Sequence, residues 1–133
     1  LPVRVIRRRD FAGEGEFDAA ITAACDEAGV VLVAMGGFLC LWRFPAHWAE
    51  RVLNIHPALL PADGGRGMHG RHVVDHEYAH GPVVAQRVVP VRADDTPESL
   101  AERVGVAERE LYPEVIQAVA DHGLEWLRVR TGL

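Results

Sequence analysis

Gly29 separates two stretches whose hydrophobic patterns belong to different kinds of element. Before it, Phe17, Ile21, Ala24, Cys25 and Ala28 recur every three or four residues. That is the spacing of one helix face, and it predicts an amphipathic helix over Glu14–Glu27 with Gly29 as its C-terminal cap. After it, residues 30–35 are apolar without a break, as in a parallel strand covered on both faces. Residues 3–6 form a short strand-like run ahead of the helix. Strand, helix and strand in that order close as a right-handed crossover. The predicted class is therefore α/β, with a mostly parallel, doubly wound sheet.

A further strand is expected over residues 52–55, leading into Asn54-Ile55-His56-Pro57-Ala58-Leu59-Leu60-Pro61. Side chains alternate along a strand, so Asn54 and His56 point to one side and Ile55 to the other. Pro57 and Pro61 restrict φ in the turn and help hold the two polar groups in one geometry. The carboxyl end of a parallel strand is where open α/β sheets keep their ligands. The alternative is an Asn and a His in an ordinary loop.

Gly36 and Gly37 end the earlier strand and allow close backbone approach to a ligand. The residues that follow, Phe38, Leu39, Cys40, Leu41 and Trp42, either wall a pocket or pack into the core. Residues 45–48 read as a turn or a single helical turn. Residues 62–80 are glycine-rich loop chemistry with histidines at 69, 72, 76 and 80. Glycines flank His69, Gly81-Pro82 follows His80, and there is no CxxC or HExxH, so no metal site is assigned. Residues 83–91 read as a strand with Pro90 near its end. Asp95 or Thr96 then caps a helix with Pro97 in its first turn. Leu100, Val104, Ala107, Leu111, Val115 and Val119 trace its apolar stripe, Pro113 is expected to kink or restart it, and Gly123 ends it. A closing strand is expected over residues 124–129.

Composition narrows the function classes. With 133 residues there is room for one domain. All fourteen basic residues are Arg, which excludes a Schiff-base or P-loop lysine. The net charge of -5 argues against general nucleic-acid binding, and Arg7-Arg8-Arg9 reads as a solvated loop because nothing glycine-rich follows it. No apolar run reaches membrane-span length and no secretory signal is visible. Cys25 and Cys40 form no disulfide framework, so a reduced cytoplasmic setting is expected. The start at Leu1-Pro2, without Met, suggests a fragment or a processed product.

Four blocks, in order, resemble the folate-dependent formyltransferases over nearly the whole chain. They are Gly37-Phe38-Leu39; the block from Asn54 to Pro61; Gly81-Pro82-Val83-Val84-Ala85-Gln86 running into Val89-Pro90-Val91; and Asp95-Thr96-Pro97-Glu98-Ser99-Leu100 through Glu108 to Leu111-Tyr112-Pro113-Glu114. The likeness is strongest to the branch that formylates glycinamide ribonucleotide, since related deformylases usually carry a second His and a Phe where the central block has Pro57 and Leu59. It implies that residues 1–133 are the folate-side, C-terminal portion of a Rossmann-like formyltransferase domain in de novo purine biosynthesis. It implies 10-formyltetrahydrofolate as formyl donor, glycinamide ribonucleotide as acceptor, no metal, no nucleic-acid or membrane partner, and a homodimer as the candidate assembly. Asn54 and His56 become the catalytic pair. Leu39, Cys40, Leu41 and Trp42, together with Asn54, Glu77, Tyr78 and Ala79, would hold the donor, while Pro57 and Glu108 would face the acceptor.

The chain also departs from the family. Two residues before its Gly-Pro motif the family places an Asp, and here that residue is Ala79, with Asp75 and Glu77 close by. A neutral imidazole is a poor donor to an oxyanion, so this chemistry calls for a neighbouring carboxylate that the methyl of Ala79 does not supply. No glycine-rich phosphate loop precedes residue 20, a helix and much of a strand are missing after Val73, and Glu14 stands where an Arg contacting the ligands is common. The chain is expected to be a degenerate homologue or part of a longer protein. The competing functions are a catalytically impaired pseudoenzyme or folate-binding module and, third, a deformylase-like hydrolase.

Overall fold

The computed structural model describes residues 2–57 and 81–132. It divides into two compact units, Leu1–Asn54 and Ile55–Leu133.

In the first unit, residues 3–6 do not form the expected strand. Val3 and Val5 are exposed, and among the described residues no strand lies alongside them. A strand persists only as part of a hydrogen-bonded ladder, so an apolar run without a neighbour stays irregular. The arginine cluster enters a 3-10 turn at Arg8–Asp10, with Arg7 and Arg9 exposed.

Helix α1 spans Glu14–Glu27, the range its periodicity predicts. It buries Phe17 and half-buries Ile21, Ala24 and Cys25. Its end is a Schellman motif: Gly29 N–H bonds the Asp26 carbonyl and Val30 N–H the Cys25 carbonyl, both at 3.0 Å, while Gly29 takes φ +63°. Strand β1, Val33–Met35, pairs in parallel with β2, Val52–Asn54, in the register Val33 with Val52 and Met35 with Asn54. The expected six-residue strand is trimmed to three, and it is half-buried rather than covered on both faces. Its single partner strand among the described residues explains both.

Between the strands, Ala46–Trp48 makes the expected helical turn. Trp48 is 1% exposed and anchors the unit. Its indole N–H donates to Asp26 Oδ1 at 3.0 Å, and the Arg51 guanidinium lies 4.6 Å over its ring. Arg51 also donates to the carbonyls of Val30 and Val31 at 3.0 and 2.9 Å, tying the approach to β1 to the approach to β2.

In the second unit, residues 81–92 form no regular element, in place of the expected strand. Among the described residues no strand pairs with them, and Val83, Val88 and Val91 are exposed. Side chains hold the segment beside helix α2, Pro97–His122: Arg87 reaches Glu110 at 2.7 Å and Glu114 at 3.1 Å, and Arg103 donates to the Pro90 carbonyl at 2.9 Å. A capping box starts α2, with Ser99 N–H on Thr96 Oγ1 at 3.2 Å and Thr96 N–H on Ser99 Oγ at 3.1 Å. All six residues of the apolar stripe are buried or half-buried.

The helix runs through Pro113 rather than restarting there. Proline frees the carbonyl of the fourth residue before it, and both Pro113 and Arg109 are exposed, where water can satisfy that group. Gly123, at φ +75°, ends α2 as expected. The expected closing strand is instead helix α3, Glu125–Thr131. Leu124, Leu127 and Thr131 fall at helical spacing on its inner face, Leu127 is buried, and Val129 is exposed.

Candidate active site

Because β1 and β2 are parallel, their carboxyl ends lie together. The Gly36-Gly37 turn leaves β1 at that end, with Gly37 at φ +63°, beside the exposed Asn54 that closes β2. The boundary between the two units follows Asn54, so Ile55, His56 and Pro57 belong to the second. There His56 is half-buried and Pro57 exposed.

Of the residues after the glycine turn, Leu39, Cys40 and Leu41 are exposed. Trp42 is 5% exposed and turns onto α1, where its indole N–H meets the Asp18 carbonyl and Thr22 Oγ1, each at 3.2 Å. Thr22 Oγ1 itself donates to the Asp18 carbonyl at 2.9 Å. Asp18, Thr22 and Asp26 are successive turns of one helix face. That face receives the indoles of both Trp42 and Trp48, and His47 Nε2 approaches Asp26 Oδ1 at 3.2 Å. The apolar spacing marks the buried stripe of α1 but carries no sign of this polar row, which depends on tryptophans more than fifteen residues away.

Arg43 extends the cluster: its Nη1 lies 2.7 Å from Glu14 Oε2 and 3.6 Å from Asp18 Oδ2. The hydrogen bond to Glu14 is the main cause holding its guanidinium above the ordinary arginine range. Burial, and then the charge of Asp26, push the Cys25 thiol upward.

In the second unit, Glu108 is half-buried on α2. Asp95 and Arg103 form a bidentate pair at 2.5 Å, with the Asp95 side chain 7% exposed. That hydrogen bond, with the Arg92 backbone N–H second, holds the Asp95 carboxyl well below the usual carboxylate range. Residues eight apart in sequence give no pattern by which this pair is visible beforehand. Ala58, Leu59, Leu60, Pro61, Glu77, Tyr78, Ala79 and the histidines at 69, 72, 76 and 80 lie outside the described residues. Among the described residues, no group of His, Cys, Asp and Glu is arranged to hold a metal ion, and no helix is long and apolar enough to cross a membrane.

Comparison with known families gives the class of protein: residues 64–116 match the formyl transferase family. The chain is 33% identical to the trifunctional purine biosynthetic protein adenosine-3 of Gallus gallus, over 94% of this chain and 14% of that protein. It superposes on glycinamide ribonucleotide transformylase 1 from Symbiobacterium toebii with a TM-score of 0.72 and 35% identity, over 86% of this chain and 61% of that one. For phosphoribosylglycinamide formyltransferase from Streptococcus pneumoniae TIGR4 the values are 0.71 and 30%, over 85% and 71%. The chain belongs to the phosphoribosylglycinamide formyltransferase family, and its parallel sheet is part of that family's Rossmann-like fold. It spans less than two thirds of the length of the first two of these relatives.

Proposed function

We propose that the protein transfers a formyl group from 10-formyltetrahydrofolate to the amine of glycinamide ribonucleotide, in purine biosynthesis. The observation that carries this reading is the run from Asn54 to Pro61, which begins at the carboxyl end of β2 in a chain of formyltransferase descent. Residues 1–133 then act as one formyltransferase-like domain on the folate side. The setting is cytoplasmic, a homodimer is the assembly to test, and no metal takes part.

The chemistry needs little apparatus. The acceptor amine attacks the formyl carbon, a C–N bond forms, and the carbonyl oxygen becomes an oxyanion. Collapse of that intermediate breaks the bond to N10 of the folate, which leaves with a proton. His56 donates a ring N–H to the oxyanion and supplies a proton, and the Asn54 amide donates to the same oxygen. Preorganised donors of this kind contribute about 3–4 kcal/mol each to transition-state stabilisation. Leu39, Cys40, Leu41 and Trp42, with Glu77, Tyr78 and Ala79, hold the donor, Trp42 from its anchored position on α1. Pro57 and Glu108 take the acceptor side. Titration calorimetry tests the reading: binding of both ligands is expected, and binding of neither overturns it.

Ala79 favours a second reading, a binding module that retains folate affinity without turnover. A carboxylate at that position would hold the proton on His56 and relay it, and a methyl group does neither. A deformylase-like hydrolase ranks third and predicts formate release without any amine acceptor.

A further inference from the structure

We infer that Thr22 is a positioning residue for the formyl-donor site, acting through Trp42; this rests on the reading that Trp42 belongs to that site. An indole carries one N–H and no acceptor, so the orientation of a buried tryptophan depends on what that single group meets. Trp42 is 5% exposed, and its N–H has two acceptors on α1, the Asp18 carbonyl and Thr22 Oγ1, each at 3.2 Å. Its other ring neighbours are Phe44, edge-on at 5.3 Å, and Trp48, tilted at 6.2 Å. Ring contacts hold over a broad range of offsets, whereas a hydrogen bond weakens steeply as its angle opens.

Of the two acceptors, the carbonyl belongs to the main chain and is shared, because Thr22 Oγ1 itself donates to it at 2.9 Å. That bond to the fourth residue before it uses the hydroxyl's only proton and leaves the lone pairs for the indole. Thr22 is thus fixed against its own helix as an acceptor, and what it accepts is the Trp42 N–H. Valine in its place keeps the shape and removes the acceptor; serine keeps the acceptor and loses one methyl group. Without the hydroxyl the indole retains only a shared carbonyl, and Trp42 loses its register on α1. The effect falls on the donor, since Pro57 and Glu108, assigned to the acceptor, belong to the second unit.

Trp42, Trp48 and Trp126 are the three tryptophans of the chain and give three indole signals in a proton–nitrogen correlation spectrum. Trp42→Phe assigns the signal of Trp42 by its loss. Thr22→Val is expected to move that signal and speed its hydrogen exchange, with Trp126 unmoved, while Thr22→Ser leaves it near its position in the parent protein. By titration calorimetry, Thr22→Val should weaken binding of 10-formyltetrahydrofolate about fivefold and leave glycinamide ribonucleotide unaffected, and Thr22→Ser should bind both as the parent does. An unmoved Trp42 signal or an unchanged donor Kd in Thr22→Val, an equal loss for both ligands, or the same changes in Thr22→Ser overturns the inference. If the spectra follow the two variants but the parent protein binds no donor, the anchoring of Trp42 by Thr22 stands and the reading of the site falls.

Discussion

Trp48 shows how one side chain can organise a small unit. Its ring is buried, its indole N–H is satisfied by Asp26, and Arg51 stacks over it while bridging two carbonyls ahead of β1. Trp48→Ala leaves a cavity and orphans these contacts, and should destabilise the protein by about 3–5 kcal/mol in urea unfolding. Trp48→Phe keeps most of the packing and should cost clearly less. The Asp95–Arg103 pair makes a different prediction, one about pH. A carboxyl whose pKa is lowered by folding binds its proton more readily in the unfolded chain, so stability rises with pH across that interval. The contribution is complete above the unfolded value of about 3.9 and is lost as pH falls toward the lower folded value. Asp95→Asn should therefore flatten the acid limb of melting temperature against pH below about pH 4. An unchanged acid limb would count against the pair.

At the scale of elements, the outcome divides by whether the forces are local. The bounds of α1, its end at Gly29, a cap at Asp95 or Thr96 and the stop at Gly123 were all legible, because each depends on residues within a turn or two; the structure settles the cap on Thr96. Thr96→Ala should accordingly cost about 1 kcal/mol in thermal unfolding, and Thr96→Asn should restore most of it. Strands are another matter. Residues 3–6 and 83–91 carry strand-forming side chains, but strand formation needs a neighbour and none pairs with them among the described residues. At residues 124–129, the adjacent Trp126 and Leu127 already break the two-residue alternation, and helical spacing from Leu124 to Thr131 prevails. At Pro113 the helix continues without a restart, and the lost hydrogen bond lies on an exposed face. The partners of Asp18, Asp26 and Asp95 lie too far off in sequence, or in too weak a pattern, to be foreseen.

For the whole molecule, family membership rests on identity and superposition with solved formyltransferases, and the parallel register of β1 and β2 agrees with it. The proposed chemistry, formyl transfer driven by His56 and Asn54 and slowed by the methyl group of Ala79, is open to a direct test. The direct test is single-turnover transfer from 10-formyltetrahydrofolate to glycinamide ribonucleotide, followed by the appearance of the formylated acceptor. The protein should turn over slowly, Ala79→Asp should raise the rate by about 10²-fold or more, and adding His56→Ala should abolish that rise. Equal rates for the parent and Ala79→Asp, or release of formate in place of the formylated product, would contradict the claim.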